Sequence, residues 1–160
     1  MSVTSVDKDF ENRTLTLVCD LPASVERAWE LWADPRQLER WWGPPTYPAT
    51  MEKHELTPGG DVTYFMTSPE GDRHHCWWRI VAVEPPTTLE FLEGFGEEPG
   101  EPGGMPSVTI RLVISEHGDG ARMVLRSTFT SFEAMEQMIE MGMDEGMSAA
   151  IGQIDELLAA

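Results

Sequence analysis

The roughly thirty residues from Thr130 to Ala160 constrain this chain more than any other stretch. Phe132, Met135, Ile139, Met143, Met147, Ile151, Ile154 and Leu158 recur at steps of three or four, the period of one face of an α-helix and of no strand. Thr130 and Glu133 form a capping-box pair, in which the hydroxyl accepts from a first-turn N–H and the carboxylate returns to the cap. One long helix is therefore predicted from about Ser131. Gly142, Gly146 and Ala150 make a second stripe beside the apolar one, and each glycine costs about 1 kcal/mol relative to alanine inside a helix. Two arrangements offset that cost: a neighbour packed very close, or a cavity left open against a sheet. Glu140, Asp144, Glu145, Asp155 and Glu156 break any apolar span, which excludes a membrane helix pair.

An amphipathic helix needs a surface to cover, and the preceding residues read as strands. Leu15, Leu17 and Cys19 alternate with Thr14, Thr16 and Val18, the pattern of a half-buried strand. Ser24 and then Asp34-Pro35 each start a short helix, the first to about Ala33 and the second to Gly43-Pro44-Pro45. Six further strands follow in a meander: Met51–Leu56, Asp61–Thr67, His74–Val83, Thr88–Phe95, Val108–Ser115 and Ala121–Phe129. Gly and Pro clusters punctuate them. The fold class is α+β, a curved antiparallel sheet wrapped around the C-terminal helix with two short helices after the first strand. A single domain is expected over residues 1–160, with its core at about 13–159 and a flexible or edge segment at 1–12. Gly94–Pro106 is too poor in apolar groups to bury much and reads as a mobile loop, either a lid or a plain connection.

Twenty-eight Asp and Glu against eleven Lys and Arg give a net charge of −17, and no Lys or Arg follows Arg126. Nucleic acid and anionic membrane surfaces would be repelled. Met1–Arg13 is polar, without the apolar core of a signal peptide, so a cytoplasmic protein is expected. Cys19 and Cys76 match no metal or redox spacing and read as free buried thiols, with a disulfide between them as the alternative.

The order Leu21-Pro22-Ala23, Trp29, Asp34-Pro35, Trp41-Trp42-Gly43-Pro44, Gly59-Gly60, Met66, Pro69-Glu70-Gly71, Pro85-Pro86 and Leu89 before a terminal helix resembles the START-like, or SRPBCC, superfamily. Within it the chain is similar to domains like the C-terminal half of the heat-shock-protein-90 ATPase activator. The resemblance covers about Leu15 to Leu158 and implies a helix-grip fold with an apolar cavity between sheet and helix. It does not choose among lipid and polyketide binders, cyclases and receptors.

Five of the ten Met lie at 135, 138, 141, 143 and 147, as adaptable core filler or as the soft wall of a ligand site. The expected cavity lining is Trp41, Tyr64, Met66, Phe91, Ile110, Met135, Ile139, Met143 and Met147. Adjacent Trp77 and Trp78 point to opposite sheet faces, so an outward one offers a cavity rim or a homodimer contact. His74 with Cys76, and Glu52 with His54, would each share a strand face, yet their spacing is too loose to declare a metal, and none is expected. Phosphate loops and nucleophile motifs do not occur, so no cofactor is expected. The leading functional reading is a carrier or sensor of a small apolar ligand, more binder than enzyme. The alternatives are a cyclase or dehydratase using His54, Tyr64 or His74 as acid or base, and a stress protein related to the chaperone activator.

Overall fold

The computed structural model describes residues 3–101 and 105–159. Eight antiparallel strands form one curved sheet, β1 (Val3–Asp9), β2 (Thr14–Leu21), β3 (Ala49–His54), β4 (Asp61–Thr67), β5 (Arg73–Glu84), β6 (Thr88–Phe95), β7 (Val108–His117) and β8 (Gly120–Phe129). Their spatial order is β1-β2-β8-β7-β6-β5-β4-β3. The meander from β3 to β8 thus folds back onto β2, and β1, within the first twelve residues, adds an outer edge. Helices α1 (Val25–Ala33) and α2 (Pro35–Trp41) lie between β2 and β3, and α3 (Phe132–Glu140), α4 (Met143–Gly152) and α5 (Ile154–Ala159) follow β8. This is the α+β helix-grip architecture.

Alternation fixes the inner face. On β2 the buried residues are Leu15, Leu17, Cys19 and Leu21, and on β8 Ala121, Met123, Leu125, Ser127 and Phe129; a slip of one residue would turn either set to solvent. The helices start where the caps dictate: Ser24 Oγ accepts from Arg27 N–H and Asp34 Oδ1 from Arg36 N–H, with Pro35 in the first turn. Cys19 and Cys76 are buried thiols.

The C-terminal stretch departs from the single helix expected. Ser131, not Thr130, caps α3, its Oγ accepting from Ala134 N–H at 3.0 Å. Gly142 has φ +88°, a left-handed conformation that ends one helix and starts the next. A second interruption at Gln153 separates α4 from α5. Burial follows the break: Ala134, Met135 and Met138 are buried, then nothing until Ala150, Ile151, Ile154 and Leu157. Ile139, Met143 and Met147 are only half-buried, and Phe132 is 46% exposed.

Trp77 and Trp78 do face opposite ways, but neither is bare. Trp78 is in the core, while Trp77, only 3% exposed, lies over its cross-strand partner Gly94 on the outer face. A Cβ at Gly94 would sit 2.0 Å from the Trp77 ring, so glycine is the only residue that lets the indole lie flat there. Gly94→Ala should therefore lower stability by about 1–3 kcal/mol through overpacking. Urea denaturation gives the readout, and an unchanged midpoint would show that the indole moves aside freely.

Candidate functional site

The stretch of α3 and α4 without buried side chains overlies a cavity of about 340 Å³. Its floor comes from the sheet: Tyr64 and Met66 on β4, Cys76 on β5, Glu93 and Phe95 on β6, Leu125 on β8. Its roof is Met138 and Met141 at the end of α3, then Gly142, Met143, Gly146, Met147, Ala150 and Ile151. Trp41, Trp42, Pro44 and Tyr47 close one side, and Met105 contributes another wall. A Cβ on Gly142 or Gly146 would meet no atom within 4 Å. Of the two arrangements the glycine stripe allowed, open space is the one present, and Gly142 is needed for its φ rather than for contact.

Five of the nine residues expected around a cavity line this one: Trp41, Tyr64, Met66, Met143 and Met147. Phe91, Ile110, Met135 and Ile139 do not. Phe91 stacks on Trp78 with centroids 3.9 Å apart and planes 16° from parallel. Ile110 and Met135 are fully buried, and Ile139 packs half-exposed against the core. Phe91 belongs to a packed aromatic cluster with Trp32, Trp41, Trp42 and Trp78. Of the segment expected as a loop, 102–104 lie outside the described residues; Phe95 and Met105, to either side, face the cavity.

The acid–base candidates are redistributed. A bulge between Met51 and Lys53 shifts the register of β3 and parts Glu52 from His54, which unbulged alternation would place on one face. Glu52 stands 3.9 Å from His75, whereas His54 Nε2–H donates to the Trp32 carbonyl at 3.0 Å. Burial holds the His54 imidazole below its usual pKa, so the ring is a neutral structural donor away from the cavity. His74 is exposed beside Tyr47, with ring centroids 6.0 Å apart. Among the described residues no three His, Cys, Asp or Glu side chains converge as a metal site, and no helix is long and apolar enough to cross a membrane.

The polar centre of the cavity is Glu93, which the sequence reading passed over. The residue is 7% exposed; Oε2 accepts from the Tyr64 hydroxyl at 2.6 Å and from Trp78 Nε1–H at 3.3 Å. The first distance is that of a charge-assisted O–H···O bond. Burial pushes the carboxyl's pKa up, against the pull of those two donors. Burial and then the charge of Glu93 raise the Tyr64 phenol well above its ordinary range; burial likewise takes the Cys76 thiol to about 12. The signal was present in the strand pattern: Glu93 falls in phase with Leu89 and Phe91, on the inward side of β6.

The folded chain holds the Glu93 proton more tightly than the unfolded chain, where a glutamate titrates near about pH 4.3. Its contribution to stability is thus fully present below that pH and is lost as the pH rises through the raised value. Glu93→Gln removes the loss while keeping an acceptor for Tyr64 and Trp78. The thermal midpoint of the variant should exceed that of the parent by a margin that widens from acid toward neutral pH; a margin independent of pH would mean that Glu93 titrates like an exposed glutamate.

Residues 22–159 match the family model for activator of Hsp90 ATPase homolog 1-like protein. The chain is similar to protein Ms6760 from Mycobacterium smegmatis, with 46% identity over 98% of this chain and 96% of that one and a TM-score of 0.88. It is equally similar in sequence to a protein from Arthrobacter aurescens whose structure was solved by NMR, at 46% identity over 99% and 92% of the two chains, with a TM-score of 0.93. The AHSA1 protein from Silicibacter pomeroyi shares the fold at 22% identity, over 91% and 97% of the chains, with a TM-score of 0.72. None of the curated proteins matches. The chain belongs to the activator of Hsp90 ATPase homolog 1-like family of the START-like, SRPBCC superfamily.

Proposed function

We propose that this protein binds a small, largely apolar ligand in the cavity between sheet and C-terminal helices, as a carrier or sensor. The observation that carries the reading is the open space beneath Gly142 and Gly146, where a folded core would ordinarily place side chains. About 340 Å³ falls at the lower end of ligand pockets, about 300–1,000 Å³, so the occupant is compact. The wall is aromatic and thioether, with Met66, Met105, Met138, Met141, Met143 and Met147 around it. Unbranched, polarizable side chains adjust to a ligand's outline, which favours tolerance of shape; a difference of one methylene should change affinity by only about 1–3 kcal/mol.

A second reading, an enzyme of the cyclase or dehydratase kind, draws on the buried Glu93–Tyr64 pair within that wall. A carboxyl whose pKa is raised by burial keeps its proton to higher pH than an exposed one, which suits it to acid–base exchange. In this reading the pair would exchange a proton with the bound molecule, and Glu93→Gln would abolish turnover while sparing binding.

Gly146 offers the test. Leucine there meets no atom at Cβ, improves helix propensity by up to about 1 kcal/mol, and projects into the cavity. Gly146→Leu should keep or raise the thermal midpoint while binding of the neutral dye phenylnaphthylamine falls at least about tenfold, in keeping with overpacking of an occupied site. Parent protein that takes up neither the dye nor any molecule retained through native mass spectrometry would refute a binding role.

A further inference from the structure

The cavity wall holds one ionisable carboxyl, and that carboxyl has no counter-ion. Among the described residues no salt bridge reaches Glu93. Both donors that serve it, the Tyr64 hydroxyl and Trp78 Nε1–H, converge on Oε2 and leave Oε1 without a hydrogen bond among the described residues, and Glu93 lines the cavity. Resting on the reading that this cavity binds an apolar ligand, we propose that the ligand is a hydrophobic amine. Its protonated nitrogen sits at Glu93 Oε1 and its hydrocarbon body lies along Met143 and Met147.

Three features select a cation over a neutral or anionic head group. A buried carboxylate left unpaired is costly, and an ammonium supplies both the missing charge and N–H donors to the vacant oxygen. The desolvation of Glu93 is already part of the folded state, so complex formation adds only that of the ligand nitrogen. Trp41, Trp42, Tyr47, Tyr64 and Phe95 also line the cavity, and aromatic faces attract ammonium groups where water is excluded. The net charge of −17 draws cations toward the protein and repels carboxylates. A hydroxyl would gain the hydrogen bond alone.

The pairing has a pH signature. The other titratable groups in the same wall are the Tyr64 phenol and the Cys76 thiol, both with pKa values raised by burial, so of the three Glu93 is the one that ionises first as the pH rises. Burial favours its neutral form, and an ammonium favours the carboxylate. Binding should therefore strengthen as the pH rises through the Glu93 range and release a proton.

The experiment compares octylamine, octanol and octanoate as competitors of phenylnaphthylamine, in the full chain and in Glu93→Gln. Octylamine should bind about tenfold or more tighter than octanol, as a hydrogen bond to a charged partner implies, with octanoate weakest. In Glu93→Gln the advantage of the amine should vanish while octanol affinity changes little. Octanol equal to octylamine in the parent, or an amine preference that survives Glu93→Gln, overturns the proposal and leaves the apolar cavity standing. Failure of all three competitors and of the dye to bind overturns both. Should the variant not fold, the parent still decides: the advantage of octylamine over octanol should grow as the pH rises from acid, where burial keeps Glu93 protonated, and an advantage that does not change with pH refutes the ion pair.

Discussion

The stack of Trp78 on Phe91 is the contact on which the remaining architecture rests. These rings, from neighbouring strands, lie 3.9 Å apart, and Trp32 from α1 and Trp42 after α2 meet Trp78 at 6.1 and 5.0 Å. Hydrogen bonds lock two more indoles in place: Trp32 Nε1–H donates to Met123 Sδ and Trp41 Nε1–H to the Leu31 carbonyl. Fused rings have two side-chain torsions and little freedom to collapse. They hold the helices at a fixed distance from the sheet, so that the space beside them, roofed by glycines and flexible methionines, stays open where leucines would have closed it.

How much of this could be read without coordinates depended on whether the signal was periodic. The alternation on β2 and β8, the caps at Ser24 and Asp34, and the turn clusters between strands are local properties, and they placed the sheet and both short helices. β1 carries a weak pattern, exposed from Thr4 to Lys8, and reads as a tail until β2 is there to pair with it. The terminal helix was predicted as one piece because the three-and-four spacing survives a kink. Only the φ of Gly142 distinguishes a tolerated helical glycine from a break, and backbone conformation leaves no mark on periodicity. The bulge in β3 is invisible for the same reason, and it alone moved His54 away from Glu52.

The cavity lining was half legible. Trp41, Tyr64, Met66, Met143 and Met147 follow from strand phase and helix face. Phe91, Ile110, Met135 and Ile139 share those phases yet lie elsewhere, because phase gives the face of an element and not the position along it. Which end of the sheet stays open is decided by where the indoles pack, a property of Trp32, Trp41, Trp42 and Trp78 acting together. Glu93 was missed for the opposite reason. A glutamate in phase with Leu89 and Phe91 violates the pattern that identified the strand, and such violations are where function is concentrated.

That violation has a physical consequence beyond the site itself. An apolar residue at position 93 would seal the wall and remove the desolvation of the carboxyl, but it would leave the buried Tyr64 hydroxyl and Trp78 Nε1–H without their acceptor, at about 1–3 kcal/mol for each orphaned donor. The field of a chain carrying −17 adds to the burden, since surrounding negative charge and burial both oppose ionisation of Glu93. The two donors on Oε2 pull the other way. The carboxyl is thus balanced between opposing influences, with Oε2 already committed to two donors, and on the binding role proposed above the charge of an occupant would tip the balance. On that proposal the methionines would adapt to the shape of an occupant, whereas Glu93 would respond to its charge. Specificity would then be electrostatic at one carboxyl and permissive over the remainder of the wall.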